Sequence, residues 1–172
     1  KLNTIVSSIY VEKKIEKNIK IIFCLTLSLK KKNIKKMNII NIVCVLKSAG
    51  PNSIYTEEWV EKLFNSINRN TTYEVNFYCL TDMNTKVGIK IPFSDNVGPG
   101  WWAKLELFSI KEFVNIPTLY FDLDTVICGN IDQIIKDCIS QKNFLMNKGI
   151  KGPSSCLMYW NGDYRYLYED FI

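Results

Sequence analysis

Histidine is absent from the 172-residue chain. This excludes Ser-His-Asp and Cys-His catalysis and any zinc site of mixed Cys/His ligands. The cysteines, Cys24, Cys44, Cys79, Cys128, Cys138 and Cys156, include no CxxC pair, so the four-cysteine zinc spacing is missing as well. Most of them sit in apolar runs, where Cys behaves as a small buried hydrophobe, and a reduced, cytoplasmic protein is the default expectation. Glycine (8) and proline (5) are too scarce for a collagen-like or linker-like chain. Acid/base or metal chemistry, if present, falls to carboxylates.

What is there in quantity is apolar side chain. The hydrophobic fraction is 47% and the aromatic fraction 13%, enough for a packed core and too much for disorder along most of the chain. The length suits one domain, or one domain plus a tail. The net charge of +5 is unevenly spread. Residues 1–36 carry ten lysines against Glu12 and Glu16, giving +8, and residues 37–172 carry 12 Lys+Arg against 15 Asp+Glu, giving −3. A mildly acidic body gives no sign of a nucleic-acid partner. The chain begins with Lys1 and its first methionine is Met37, where the composition changes. Two segments are therefore expected: a basic, weakly structured extension over 1–36 and a domain over 37–172. In the extension, the apolar run Ile21–Leu29 is too short for a bilayer span of about 20 residues. Lys30–Lys32 stands where a signal peptide has small cleavage-site residues. Membrane association is expected only through this basic tail, at an anionic surface.

From Met37 the pattern alternates strand and helix. Ile39–Leu46 (IINIVCVL) reads as a strand buried on both faces. Thr56 caps a helix with Glu57 and Glu58 in its first turn and Trp59, Val60, Leu63, Phe64 and Ile67 as its apolar stripe. Tyr73–Leu80 and a short Val87–Ile91 read as strands. Trp101–Val114 is predicted as a helix turning Trp102, Leu105, Phe108 and Phe113 inward, and both tryptophans are expected in core or lid packing. Thr118–Leu123 is a strand, Ile131–Ile135 a short helix, Phe144–Met146 and Cys156–Trp160 further strands, and Gly162–Phe171 the start of a last helix. This order predicts an α/β layered fold with a mostly parallel sheet. Ligands in such sheets bind at the C-terminal ends of strands, where Lys47/Ser48, Asp82 and Asp122/Asp124 fall.

Tyr120-Phe121-Asp122-Leu123-Asp124 carries the strongest chemical signal. An apolar strand delivers two carboxylates separated by one residue, and in a fully extended strand they share a face. Such oxygen ligands suit Mn2+ or Mg2+, and a cation there can neutralise a nucleotide's diphosphate and assist its departure.

The combination GWWAKLELF (100–108) and PTLYFDLDTVICGNID (117–132) resembles the core of DxD-type glycosyltransferases of the GT-A fold. More narrowly, it resembles the family-eight, retaining galactosyltransferase-like group. The resemblance extends over residues 38–171 through Asn41–Leu46, Asn76–Asp82 and Ser154–Trp160. It implies a Rossmann-related sandwich with a mostly parallel central sheet flanked by helices. It also implies hexose transfer from a nucleotide-sugar, UDP- or GDP-linked, to a glycan or other hydroxyl acceptor. On the matching positions it implies that Asp122 and Asp124 bind Mn2+ (or Mg2+). Lys47, Ser48, Asp82, Lys104, Asp122 and Leu123 would contact the nucleotide-sugar, and Ser154 and Ser155 would lie on the acceptor side.

Two departures stand out. The family's Asn-Ser-Gly is here Ser154-Ser155-Cys156. Its third metal ligand, commonly a His further on, has no counterpart in a chain without His that ends 12 residues after Trp160. A C-terminally truncated domain is therefore expected, and an inactive or partial domain that only binds nucleotide is an alternative. Phe121–Val126 is also similar to the DxDxT/V strand of haloacid-dehalogenase-type phosphatases, in which the first Asp is a nucleophile and the second a general acid.

Overall fold

The computed structural model describes residues 39–50, 53–95, 98 and 100–171. The expected boundary at Met37 and the basic stretch 1–36 lie outside the described residues. Strand β1 (Ile39–Leu46) is an interior strand of the sheet. Its side chains alternate across the sheet, as a strand must. Ile40, Ile42, Cys44 and Leu46 enter one core layer and Val43 enters the other. A run that is apolar at nearly every position is thereby accounted for: both faces are covered.

Helix α1 (Glu57–Arg69) follows and buries Val60, Leu63 and Ile67 against β1's first face. Thr56 is its N-cap by backbone conformation but makes no side-chain cap hydrogen bond, so the first turn relies on Glu57 and Glu58 against the helix dipole. Strand β2 (Glu74–Thr81) pairs parallel to β1, and β3 (Ile89–Ile91) parallel to β2. A 3-10 helix, Gly100–Ser109, and a one-turn continuation, Lys111–Phe113, lead into β4 (Thr118–Phe121), parallel to β1 on its other side. Helix α2 (Asp132–Ile139) then precedes the antiparallel pair β5 (Leu145–Gly149) and β6 (Gly152–Trp160), of which β6 pairs with β4. Helix α3 (Tyr166–Glu169) is a single turn.

The six-stranded sheet has the order β3-β2-β1-β4-β6-β5, with three parallel and two antiparallel pairings. The α/β fold with a mostly parallel sheet between helical layers is as expected. Among the described residues no helix is long and apolar enough to cross a membrane.

Two local readings are corrected. The segment 100–113 is 3-10 rather than α-helical. Side chains three apart eclipse in that geometry, so Ala103 and Glu106 share the buried side, joined by Leu107 and Phe108. Trp102 turns outward and is 47% exposed, stacked on Phe171 with ring centroids 5.0 Å apart. Trp101 is more exposed still. Buried Glu106 accepts a hydrogen bond from the backbone N–H of Ser94 and ties the preceding loop to the helix. Strand β4 also ends earlier than expected, at Phe121, and a turn closed by Thr125 N–H on Asp122 C=O (3.0 Å) carries the acidic pair.

Gly88, just before β3, has φ +77°, and a Cβ there would lie 2.6 Å from Phe77 Cδ1 and 3.1 Å from Phe77 O. Gly88→Ala is expected to destabilise the fold by about 1–3 kcal/mol, read as a lower urea midpoint with an unchanged m-value.

Candidate active site

In the strand order, β1 is flanked by β2 on one side and β4 on the other. The chain therefore reverses its direction of travel across the sheet between β1 and β4. The crevice outside the carboxyl ends of strands at such a switch point is where open α/β sheets bind ligands. A cavity of about 460 Å3 lies there. Val45, Leu46 and Leu123 form apolar wall, and Lys47, Ser48, Tyr55, Lys104, Asp122 and Asp124 supply polar groups.

Asp122 is held by three contacts. Lys104 Nζ lies 2.5 Å from its Oδ1, with the two side chains 20% and 26% exposed. The Tyr120 hydroxyl donates to the same oxygen at 2.5 Å. Its backbone N–H donates to Cys156 C=O across the β4–β6 pair at 2.9 Å. Burial, reinforced by the charge of Asp122, pushes the Tyr120 phenol's pKa well up, so it stays a proton donor throughout the neutral range. Lys104 Nζ also lies 5.4 Å from the Tyr120 ring centroid and 3.5 Å from Ser155 Oγ. The 3-10 helix thus delivers a partly sheltered cation to the first carboxylate.

Asp124 is held from the opposite wall. The Tyr55 hydroxyl donates to its Oδ2 at 2.8 Å, and this bond raises the phenol's pKa. Tyr55 is itself fixed edge-on against Trp59, with centroids 5.5 Å apart. Nothing in the sequence singled out Tyr55. The available signal was its place in the loop after β1, opposite the acidic turn.

The remaining sequence candidates divide. Lys47 lines the cavity and donates to Gly98 C=O at 2.6 Å. Ser48 lines it too, and its backbone N–H is held at 2.9 Å by Asp82 Oδ1. Asp82 is not among the lining residues; its carboxylate shapes the loop that is. Leu123 is buried under the acidic turn. Ser154 and Ser155 both lie outside the lining: Ser155 Oγ is 3.5 Å from Lys104 Nζ, and the Ser154 hydroxyl donates to Cys156 Sγ at 3.2 Å. The end of the motif is structural. Asp132 accepts from Thr71 Oγ1 (2.6 Å), Thr72 N–H (2.9 Å) and Thr72 Oγ1 (2.7 Å), chiefly the first of which draws its pKa down to about 2.

The donor set fits a hard divalent cation in chemistry and falls short in number. The hydrogen bonds and ion pair described use Oδ1 of Asp122 and Oδ2 of Asp124. Among the described residues the other oxygen of each carboxylate makes no hydrogen bond. No group of three or more His, Cys, Asp or Glu side chains comes together among them to hold a metal. Mg2+-type sites commonly use one or two carboxylates and take the rest of their shell from water and substrate phosphates. A cation held by these two carboxylates would take the rest of its shell from water or a phosphate-bearing ligand.

No protein-family profile matches the chain, and no curated protein sequence matches it. Among solved structures, the fold is similar to the crystal structure of the glycosyltransferase GlyE of Streptococcus pneumoniae TIGR4. The TM-score is 0.52 at 15% identity, over 76% of this chain and 36% of that one. The apo form of the same protein aligns with TM-score 0.48 at 16% identity and the same coverage. The chain thus spans about a third of the length of the structure it resembles, and the likeness is one of fold.

Proposed function

We propose that the cavity between β1 and β4 is the donor site of a glycosyltransferase. It would bind a UDP- or GDP-linked sugar with Mn2+ or Mg2+ and pass the hexose to a hydroxyl group of the acceptor. The bond from the anomeric carbon to the diphosphate breaks, one from that carbon to the acceptor oxygen forms, and the hydroxyl proton is released. The observation that carries the reading is the pair Asp122/Asp124, gathered by a turn at a topological switch point and bracketed by Lys104 and Tyr55. The fold likeness to a glycosyltransferase supports it.

Charge explains why a cation belongs there. The lining contains two carboxylates, Asp122 and Asp124, and two ammonium groups, Lys47 and Lys104, which cancel. A nucleoside diphosphate entering this cavity brings its own negative charge with no surplus positive charge to meet it. Asp122 and Asp124 would hold the cation, which when bound supplies Lewis-acid stabilisation of the departing diphosphate. Tyr120 and Tyr55 orient the two carboxylates by one hydrogen bond each, and Lys104 remains a fixed cation beside the phosphates.

Titration calorimetry with UDP and GDP, with and without Mn2+, tests the reading. Binding of one nucleotide that requires the metal is expected; no metal-dependent binding of either overturns it. Hydrolysis of p-nitrophenyl phosphate in place of nucleotide binding would establish the phosphatase alternative. In the same assay Lys104→Gln is expected to weaken nucleotide binding about tenfold, the effect of losing one charge-assisted hydrogen bond. Tighter binding by that variant would show that Lys104 competes for Asp122 instead of assisting the phosphates.

A further inference from the structure

The four tryptophans have different surroundings. Trp160 is 1% exposed and packs on Phe108 and Phe113. Trp59 packs on Tyr55, and Trp102 on Phe171. Trp101 has no aromatic neighbour among the described residues, is 77% exposed, and lines the cavity. Exposure alone is ordinary for a single apolar side chain; what sets Trp101 apart is that it lines the cavity beside polar groups, as aromatic side chains of ligand pockets do. Trp101 precedes Lys104 by three residues in the 3-10 helix, so the two side chains project from one side of it. The indole and the ammonium that meets Asp122 therefore belong to a single wall.

Exposure gives the cavity a floor and a rim. Leu46, Tyr120 and Leu123 are buried at the bottom, next to the acidic turn, and Trp101 stands at the mouth. A phosphate-bearing ligand drawn to Asp122, Asp124 and Lys104 occupies the floor. A second substrate enters past the rim and meets the indole face.

We propose that Trp101 is the stacking platform for the acceptor, and that the acceptor is a carbohydrate whose pyranose ring lays its apolar C–H face on the indole. This rests on the donor-site reading and narrows the acceptor from any hydroxyl compound to a sugar. An indole face supplies apolar area and a negative π surface that the slightly positive C–H groups of a sugar ring complement. Ser155, outside the lining but 3.5 Å from Lys104 Nζ on the adjoining strand, serves as a reporter of binding at this wall.

The test uses the indole N–H signals of the 15N-labelled chain, with the Trp101 signal identified by its loss in Trp101→Phe. The probes are the methyl glycosides of glucose, galactose and N-acetylglucosamine at millimolar concentration, and separately UDP and GDP with Mg2+. At least one glycoside is expected to shift the Trp101 signal saturably. The amide shifts it induces at Ser155 should persist in Trp101→Phe, which keeps a ring, and need at least tenfold more glycoside in Trp101→Leu. The exposure of this side chain allows both variants to fold, and an unchanged thermal midpoint verifies it.

A Trp101 signal that moves with nucleotide and with no glycoside overturns the proposal and makes the indole a platform for the nucleobase. Glycoside shifts that survive unchanged in Trp101→Leu overturn it as well. If neither nucleotide binds while a glycoside binds in a Trp101-dependent way, the donor-site reading fails and the platform stands.

Discussion

Asp124→Ala is expected to weaken metal-dependent binding of UDP or GDP by about 100-fold and to leave a residual affinity that no longer responds to Mn2+. In the proposed donor site Asp122 and Asp124 are the two carboxylates of the cavity lining, so deleting one would halve the protein's contribution to the cation's shell. Loss of outer-shell partners alone commonly lowers metal affinity 10–100-fold, so removing a direct ligand belongs at or beyond the upper end. Removal of the metal by chelation should reproduce the variant's affinity in the wild type. The Tyr55 hydroxyl loses its acceptor in this variant but stands at the cavity edge, where water replaces the carboxylate, so the fold is expected to persist. Calorimetric titration of both proteins, with and without Mn2+, is the measurement. Equal affinity and equal metal dependence in the variant would remove Asp124 from the site.

Trp160→Ala is expected to cost about 3–5 kcal/mol of folding free energy, the range for emptying a buried aromatic position. Trp160 ends β6 directly opposite Thr118, the first residue of β4, and its ring fills the space between Phe108 and Phe113 at centroid distances of 5.2 and 6.1 Å. It therefore ties the antiparallel edge of the sheet to the 3-10 segment that carries Lys104. Domains are stable by only about 5–15 kcal/mol in total, so this one truncation consumes a large part of the margin. A urea transition shifted by this amount is the expected readout. Because the loss loosens the 3-10 helix first, nucleotide binding should weaken even at temperatures where the variant is still folded. A shift below about 1 kcal/mol would show that Phe144 and the neighbouring rings close over the cavity.

The two experiments probe layers that the sequence displayed with different clarity. Strand β1 was legible over Ile39–Leu46 because burial on both faces demands an apolar residue at nearly every position. Helix α1 was legible because Val60, Leu63 and Ile67 recur at helical spacing. The segment 100–113 was misread, although its composition was plain. Whether such a run winds with 3.0 or 3.6 residues per turn depends on what it packs against, and here both Trp101 and Trp102 meet solvent. The acidic pair was visible as DLD, but its geometry was not. A pleated strand would have set both carboxylates by alternation, whereas β4 stops at Phe121 and a turn does so.

What the sequence determined by itself was the chemistry available. Without histidine, acid/base or metal chemistry falls to carboxylates, and the strand-helix order puts Asp122 and Asp124 at a strand end of a mostly parallel sheet. Only the tertiary structure decided who faces whom. Lys104 and Asp122 are 18 residues apart, and Tyr55 and Asp124 are 69 apart, and no local rule relates such positions. Their contact follows from β1 and β4 lying side by side and from the 3-10 helix docking through Leu107 and Phe108. Burial of apolar surface fixes that docking, and the charged groups are carried to the cavity as its consequence.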